Sequence, residues 1–127
     1  MLEGIHHAAI ICSDYARSKR FYVSVLGLDV IAEHFRTERD SYKLDLALPD
    51  GGRIELFSFP DCPERPSYPE ARGLRHLAFK VSCIDRVIEG LKAHGVEVEA
   101  VRTDEYTGKR FTFFQDPDGL PLELYEG

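Results

Sequence analysis

The chain contains two diverged copies of one segment. His7 lies two positions before Ala9 in a short apolar run, and His76 lies two positions before Ala78 in another. Each run is followed by apolar residues at helical spacing and then by a glycine, 20 residues after His7 and 19 after His76. Glu55 and Glu123 lie 68 residues apart, and so do the Asp-Gly pairs that precede them. Such repetition restricts the fold to one in which a single supersecondary unit occurs twice.

The pattern inside each copy predicts the order β-α-β-β-β. Ser13 is a candidate cap for the first helix, and Ser82 with Asp85 three residues later resembles a capping box for the second. Strands are expected at residues 29–31, 44–48 and 53–57 of the first copy and at 96–98, 111–114 and 121–125 of the second. We therefore expect an α+β fold with two βαβββ modules in tandem, each sheet curved around a shared metal-binding cavity.

The modules are expected to form one domain over residues 1–127. Module one covers about residues 3–58, a proline-rich connector covers 59–72, and module two covers 73–126. Prolines recur at every third position of the connector, at Pro60, Pro63, Pro66 and Pro69. This period is typical of a polyproline II ribbon, which is either a stiff crossover or a ligand for an SH3-type domain. The crossover is favoured because the repeat needs one at this place.

Composition narrows the function classes. The formal charge is −6, which argues against a nucleic-acid binder, since that function needs a basic face. The longest apolar stretch near the N-terminus, residues 8–12, is too short for a signal peptide or a membrane span, so we expect a cytoplasmic protein without a membrane partner. The three cysteines lack CxxC spacing and are expected to be reduced and mostly buried.

Strand alternation places four residues on equivalent faces. Leucine and isoleucine at 54, 56, 122 and 124 mark the face that the helices cover, so Glu55 and Glu123 lie on the uncovered face. The same test puts His76 there, and the repeat register adds His7. Two imidazoles and two carboxylates suit a divalent metal such as Zn, Ni, Co, Mn or Fe(II).

The other histidines fit this pattern less well. His6 is the nearest rival to His7, and only the repeat register separates the two. His34 and His94 have no counterpart in the other copy. His94 comes just before Gly95, where a helix C-terminus favours a cation, and we interpret it as structural.

Four segments carry a resemblance to a known family: SDYARSKRFYVSVLGLDV, RIELF, GLRHLAFKV and FFQDPDGLPLELYE. In combination they resemble the vicinal oxygen chelate superfamily, which includes glyoxalase I, extradiol dioxygenases and the fosfomycin and bleomycin resistance proteins. The chain is also similar to a subgroup of small bacterial glyoxalase-like proteins. The resemblance implies that His7, Glu55, His76 and Glu123 are the metal ligands. It also implies a homodimer and a small-molecule substrate.

The resemblance favours a lyase or isomerase of the lactoylglutathione-lyase type. Glu123 would carry a proton from a substrate that chelates the metal through two oxygens, by way of an enediolate, with Glu55 as its partner on the opposite face. Candidate cations for an anionic substrate group are Lys43, Arg39, Lys109 and Arg110. Two alternatives remain open: a non-catalytic sequestering protein of the bleomycin-resistance type, and an Fe(II) extradiol-type dioxygenase, which the second carboxylate makes less favourable.

Overall fold

The computed structural model describes residues 1–127, which form two compact units. The first unit is Met1–Pro63 and the second is Glu64–Gly127. The division falls inside the predicted connector, so each unit contains one predicted module. We refer to the units as module one and module two.

Module one is a four-stranded mixed sheet with a short helix. Its elements are β1 (Ala8–Cys12), α1 (Tyr15–Arg20), a π-helical turn (Phe21–Val25), β2 (Asp29–Arg36), a 3-10 turn (Thr37–Arg39), β3 (Ser41–Ala47) and β4 (Arg53–Ser58). The strand order is β1-β4-β3-β2, with β1 parallel to β4 and the other pairs antiparallel. The first strand of the module therefore pairs with its last.

Module two repeats this topology. Its elements are β5 (Leu77–Val81), α2 (Ile84–Ala93), β6 (Arg102–Thr103), β7 (Arg110–Gln115) and β8 (Pro121–Glu126). The order β5-β8-β7-β6 matches module one, and β5 is again parallel to the last strand. The α+β class and the two βαβββ modules are thus confirmed.

The core of each module lies between one face of the sheet and the helix. Ile54 and Leu56 of β4 are buried, as are Leu122 and Leu124 of β8. In module two, Ile84 and Leu91 of α2 complete the core. The period-2 alternation identified these faces correctly, because burying one face of a strand fixes which side chains point inward.

The predicted helix caps were wrong by one residue. Asp14, not Ser13, caps α1 by accepting a hydrogen bond from the backbone N–H of Arg17 at 3.1 Å. The N-cap of α2 is Cys83, whose side chain makes no capping hydrogen bond. Glu126 of β8 takes this role, since its carboxylate accepts from the N–H of Ile84 at 2.9 Å. A tertiary contact therefore replaces the expected capping box.

The strand predicted at residues 96–98 is also wrong. These residues are irregular, and the backbone N–H of Glu99 donates to the carbonyl of Phe113 at 3.0 Å. The edge strand begins later, at Arg102, and has only two residues. Val-Glu-Val has the alternation of a strand, but the partner strand determines where the ladder forms.

The connector is not a continuous polyproline ribbon. Residues 67–70 form a turn that contains a cis Tyr68–Pro69 bond. Arg65 ties the segment to its own module, because its guanidinium donates to the carbonyls of Leu74 and Arg75 at 3.1 and 2.9 Å.

The thiols are less buried than expected. All three cysteines are free, but only Cys12 is buried, while Cys62 is half-buried and Cys83 is exposed. Neither helix is long and apolar enough to cross a bilayer.

Candidate metal centre

In module one, parallel pairing brings His7 next to Glu55. Ala9 of β1 pairs with Glu55 of β4, and His7 lies two residues earlier on the same face. The Nδ1 atom of His7 is 3.4 Å from a carboxylate oxygen of Glu55. The side chain of Glu55 is only 16% exposed, so its charge is partly removed from water.

Module two builds the matching pair from the equivalent strands. Ala78 of β5 pairs with Glu123 of β8, and His76 precedes Ala78 by two residues. The Nε2 atom of His76 is 3.1 Å from a carboxylate oxygen of Glu123, whose side chain is 12% exposed. The Phe113 ring lies edge-on to the His76 imidazole, with the ring centres 5.0 Å apart. The phenyl ring limits the orientations that the imidazole can take.

Both separations suit two ligands of one ion. A metal that binds nitrogen and oxygen at about 2.1 Å holds them about 3.0 Å apart at a right angle and about 3.4 Å apart at the tetrahedral angle. The observed separations of 3.1 and 3.4 Å lie within this range. Each module alone offers only this pair, since no group of three or more His, Cys, Asp or Glu side chains is placed to hold an ion.

The remaining histidines are arranged differently. The Nδ1 atoms of His6 and His7 are 2.8 Å apart, so His6 contacts the candidate ligand rather than the carboxylate. His34 lies on β2 opposite Lys43. The Nδ1 atom of His94 is 2.9 Å from the carbonyl oxygen of Gly90, one helical turn earlier, which agrees with a structural role.

Lys43 makes the electrostatics of the two pairs unequal. Its ammonium group is 2.7 Å from a carboxylate oxygen of Asp45 and 3.7 Å from Glu55. The hydrogen bond to Asp45 raises the pKa of Lys43, and Glu55 adds to this effect. The carboxylate of Glu55 therefore has two neighbours, the Lys43 ammonium group and the His7 imidazole. Of the other cations predicted to meet a substrate, Arg110 instead pairs with Asp85 of α2 at 2.9 and 3.1 Å.

A polar cluster attaches a loop to the Glu123 strand. Tyr125 follows Glu123 on the same face, and its hydroxyl donates to Asp104 at 2.8 Å and also contacts Thr107. The backbone N–H of Tyr106 and the Tyr125 hydroxyl hold the pKa of the Asp104 carboxyl below its ordinary value. This cluster has no local signal in the sequence, because its residues come together only in the folded sheet.

Two arginines that lie over aromatic rings were likewise not predicted from the sequence. The Arg36 guanidinium is 5.0 Å from the ring centre of Phe57, and that of Arg102 is 5.0 Å from the centre of Phe111. Both arginines come from the edge strands β2 and β6. The strands predicted from the sequence in these regions were residues 29–31 and 96–98, so neither arginine was assigned to a strand.

The model of the glyoxalase/bleomycin resistance protein/dioxygenase superfamily matches residues 4–124, nearly the whole chain. The chain belongs to this superfamily. It is 63% identical over 126 residues to the uncharacterized protein YwkD of Bacillus subtilis, covering 99% of this chain and 98% of that one. It is 30% identical over 135 residues to the metallothiol transferase FosB of Staphylococcus haemolyticus, covering all of this chain and 86% of FosB.

Solved structures of the superfamily agree with this assignment. The crystal structure of a glyoxalase family protein from Enterococcus faecalis is 53% identical, covers 98% of both chains and superimposes with a TM-score of 0.91. A mutant of the fosfomycin resistance protein FosX from Listeria monocytogenes, complexed with Mn(II) and a dihydroxypropylphosphonic acid, superimposes with a TM-score of 0.77. It covers the whole of this chain and 94% of its own, and at 23% identity it shows the shared fold alone.

Proposed function

We propose that His7, Glu55, His76 and Glu123 together hold one divalent metal, and that the protein is a metal-dependent enzyme acting on a small substrate with two neighbouring oxygens. The observation that carries this proposal is the repeated His–Glu pair. Two modules of one topology each present an imidazole and a carboxylate at the separation that ligands of one ion require.

The donor set supports a catalytic site more than a purely structural one. Two imidazoles and two carboxylates suit Zn, Ni, Co, Mn or Fe(II). On a six-coordinate ion these four ligands leave two positions for substrate oxygens. A bound ion of this kind would supply a Lewis acid that polarises those oxygens.

We assign the proton-transfer role to Glu123 in an isomerase or lyase of glyoxalase type. Its carboxylate would take a proton from the carbon next to the polarised carbonyl and return it to the carbonyl carbon. The hydroxyl proton of the first carbon would pass to the former carbonyl oxygen, so that the net reaction is an isomerisation. We prefer Glu123 to Glu55 as the base because the ammonium group of Lys43 already lies 3.7 Å from the Glu55 carboxylate. The low exposure of Glu123 would keep water from competing for the proton.

A second candidate is thiol transfer, which the FosB relative favours. That similarity extends over the entire chain at 30% identity. In such a reaction a thiol would lose its proton and attack an electrophilic carbon of the substrate as the thiolate. The C–O bond at that carbon would break, and the departing oxygen would receive the proton that the thiol lost. The ligand set would serve either chemistry, so the reaction must be determined by assay.

Metal binding is the first test. Purified metal-free protein is titrated with Zn²⁺, Mn²⁺ and Ni²⁺ in a calorimeter, and Glu123→Gln is compared with Glu105→Gln, a change in an exposed turn. Removal of a residue that only hydrogen-bonds a metal ligand lowers metal affinity roughly 10- to 100-fold, and we expect Glu123→Gln to lower it by more. Glu105→Gln should leave the affinity unchanged. Equal affinities of the two variants, or no metal binding by the wild type, would contradict the proposal.

The second test separates the two reactions. The metal-loaded protein is incubated with 2-oxoaldehyde–thiol adducts in D₂O, and in parallel with a thiol and a small epoxide such as fosfomycin. Isomerisation of the adduct supports the glyoxalase-type reaction, and little deuterium should enter the product because Glu123 is shielded from water. Loss of thiol with formation of a thioether supports transfer. Unchanged substrate in both assays, with metal bound, would instead support a sequestering protein.

A further inference from the structure

The cavity of module two lies directly beside His76. Its volume is 670 Å³, which is within the range of sites that hold small ligands. It is lined by residues between Arg65 and Arg75, together with His76, Arg102 and Phe113. A ligand in this cavity would be within reach of the module-two metal donors, because His76 lines it.

The charge of the cavity lining is positive. Four arginines line it against two glutamates: Arg65, Arg72, Arg75 and Arg102 against Glu70 and Glu99. Arg65 is already used, since it donates to the carbonyls of Leu74 and Arg75. The remaining three arginines therefore determine what the cavity attracts.

Two of these arginines have only loose carboxylate partners. Arg102 is 3.9 Å from Glu99, and Arg75 is 3.9 Å from Glu70. These separations exceed hydrogen-bond distance, and all four side chains are more than half exposed. Exposed ion pairs of this kind contribute little, so a ligand anion can replace the glutamates.

Aromatic rings hold Arg102 in place. Its guanidinium lies 5.0 Å from the ring centre of Phe111 and 5.7 Å from that of Phe113. Phe113 also contacts the His76 imidazole edge-on. One phenyl ring thus separates Arg102 from a candidate metal ligand. A guanidinium positioned in this way loses less conformational freedom on binding than a free side chain would.

We propose that Arg102, assisted by Arg75, binds an oxyanion group of the substrate, namely a carboxylate, a phosphate or a phosphonate. The inference rests on the proposed function, since it assigns the polar end of a substrate whose reacting oxygens lie at the metal. The planar guanidinium fork matches two oxygens of such a group. On this proposal the substrate is an anion whose charged group is separate from its chelating oxygens.

Module one contains a related arginine in a different setting. Arg36 lies over Phe57 and Phe59, but its Nη2 donates to the Ser41 hydroxyl at 2.9 Å. One nitrogen of the Arg36 guanidinium is therefore already hydrogen-bonded within the module. The difference assigns oxyanion binding to module two rather than to both copies of the repeat.

Binding of simple anions tests the inference. Methylphosphonate and acetate are titrated separately into metal-free and metal-loaded protein and followed by NMR shift perturbation. Arg102→Gln is compared with Arg102→Lys and with Arg86→Gln, which changes an exposed arginine of α2 that does not line the cavity. We expect Arg102→Gln to weaken anion binding about tenfold or more, Arg102→Lys to weaken it less, and Arg86→Gln to leave it unchanged.

The two probes distinguish the anion classes. Tighter binding of methylphosphonate assigns a phosphoryl group, and tighter binding of acetate assigns a carboxylate. Equal binding by Arg102→Gln and Arg86→Gln, or no binding of either probe by the wild type, would overturn the inference. Matching thermal unfolding of the variants shows that each is folded.

The metal titration keeps this outcome separate from the proposed function. If Arg102→Gln binds metal like the wild type but binds the anions weakly, both proposals are supported. If the wild type binds metal and Arg102→Gln still binds the anions fully, only the oxyanion site fails. If the wild type binds the anions but no metal, and Arg102→Gln binds the anions weakly, only the metal proposal fails.

Discussion

At the scale of single residues, the carboxylates of Glu55 and Glu123 depend on the buried side chains next to them. Glu55 lies between Ile54 and Leu56 on β4, which are 1% and 0% exposed. These two side chains fix the face that β4 turns to the core, and Glu55 must then face the other way. The core therefore determines the direction in which the candidate ligand points.

Truncation of Leu56 should reveal this dependence. Leu56→Ala leaves a cavity beside Ile10 and Leu44, its register neighbours on β1 and β3. We expect the free energy of unfolding to fall by about 2–5 kcal/mol. Urea denaturation measures the change, and Leu74→Ala, at a residue 63% exposed, is the control that should change stability little. An equal loss in the two variants would contradict the assignment of Leu56 to the core.

Sequence patterns predicted the ligand pairs but not their surroundings. The repeat selected His7 over His6, and the structure places His7, not His6, within 3.4 Å of Glu55. Arg102 was not predicted, because its position over Phe111 depends on a two-residue ladder that forms only when β7 is in place. Residues whose role comes from a non-local partner have no local signal.

At the scale of secondary-structure elements, α2 is held to its sheet by polar contacts at its first turn. Glu126 of β8 accepts from the N–H of Ile84, and Arg110 of β7 donates to both oxygens of Asp85. Order and type of the elements followed from the alternation and helical spacing in the sequence. The caps did not, because the residues that satisfy the helix N–H groups come from distant strands.

The Asp85–Arg110 pair predicts a dependence of stability on pH. The guanidinium of Arg110 holds the pKa of the Asp85 carboxyl below its ordinary value of 3.8. A carboxyl group whose pKa is lowered by folding stabilises the fold above its unfolded pKa and loses this effect as the pH falls through the folded pKa. The stability difference between wild type and Asp85→Asn should thus be constant from about pH 8 to pH 5 and shrink below about pH 4.

Chemical denaturation across this pH range measures the effect. Asp29→Asn, at an exposed strand residue, is the matched control, and its difference from the wild type should not follow the same course. A difference for Asp85→Asn that persists unchanged to pH 2 would exclude the ion pair as its source.

At the scale of the whole molecule, each ligand pair lies within one compact module. Met1–Pro63 contains His7 and Glu55, and Glu64–Gly127 contains His76 and Glu123. The proposed site therefore needs two modules, which come either from one chain or from the two subunits of the expected homodimer. The sequence repeat predicts both arrangements equally, because it determines what a module contains and not which module it joins.

Mixed dimers distinguish these arrangements. One variant carries His7→Ala and Glu55→Gln, and the other carries His76→Ala and Glu123→Gln. Neither alone should bind metal tightly. If sites form across subunits, half of the dimers that refold from an equal mixture are heterodimers. Each heterodimer has one intact site of two, so the mixture should bind about a quarter of the metal that the wild type binds. If sites form within a chain, the mixture should bind no more metal than its components.

Metal content per subunit and the mass in solution by light scattering provide the measurement. A wild-type protein that remains monomeric with metal bound would contradict the homodimer and leave only the site within one chain.

The edge-on ring of Phe113 next to His76 has a spectroscopic consequence. A phenyl ring current displaces the magnetic resonance frequencies of nearby nuclei, so the imidazole protons of His76 should be separated from those of the other four histidines. His7 is in contact with another imidazole instead. Arrival of a diamagnetic ion such as Zn²⁺ at each half of the repeat can therefore be followed independently in one spectrum, with no added label.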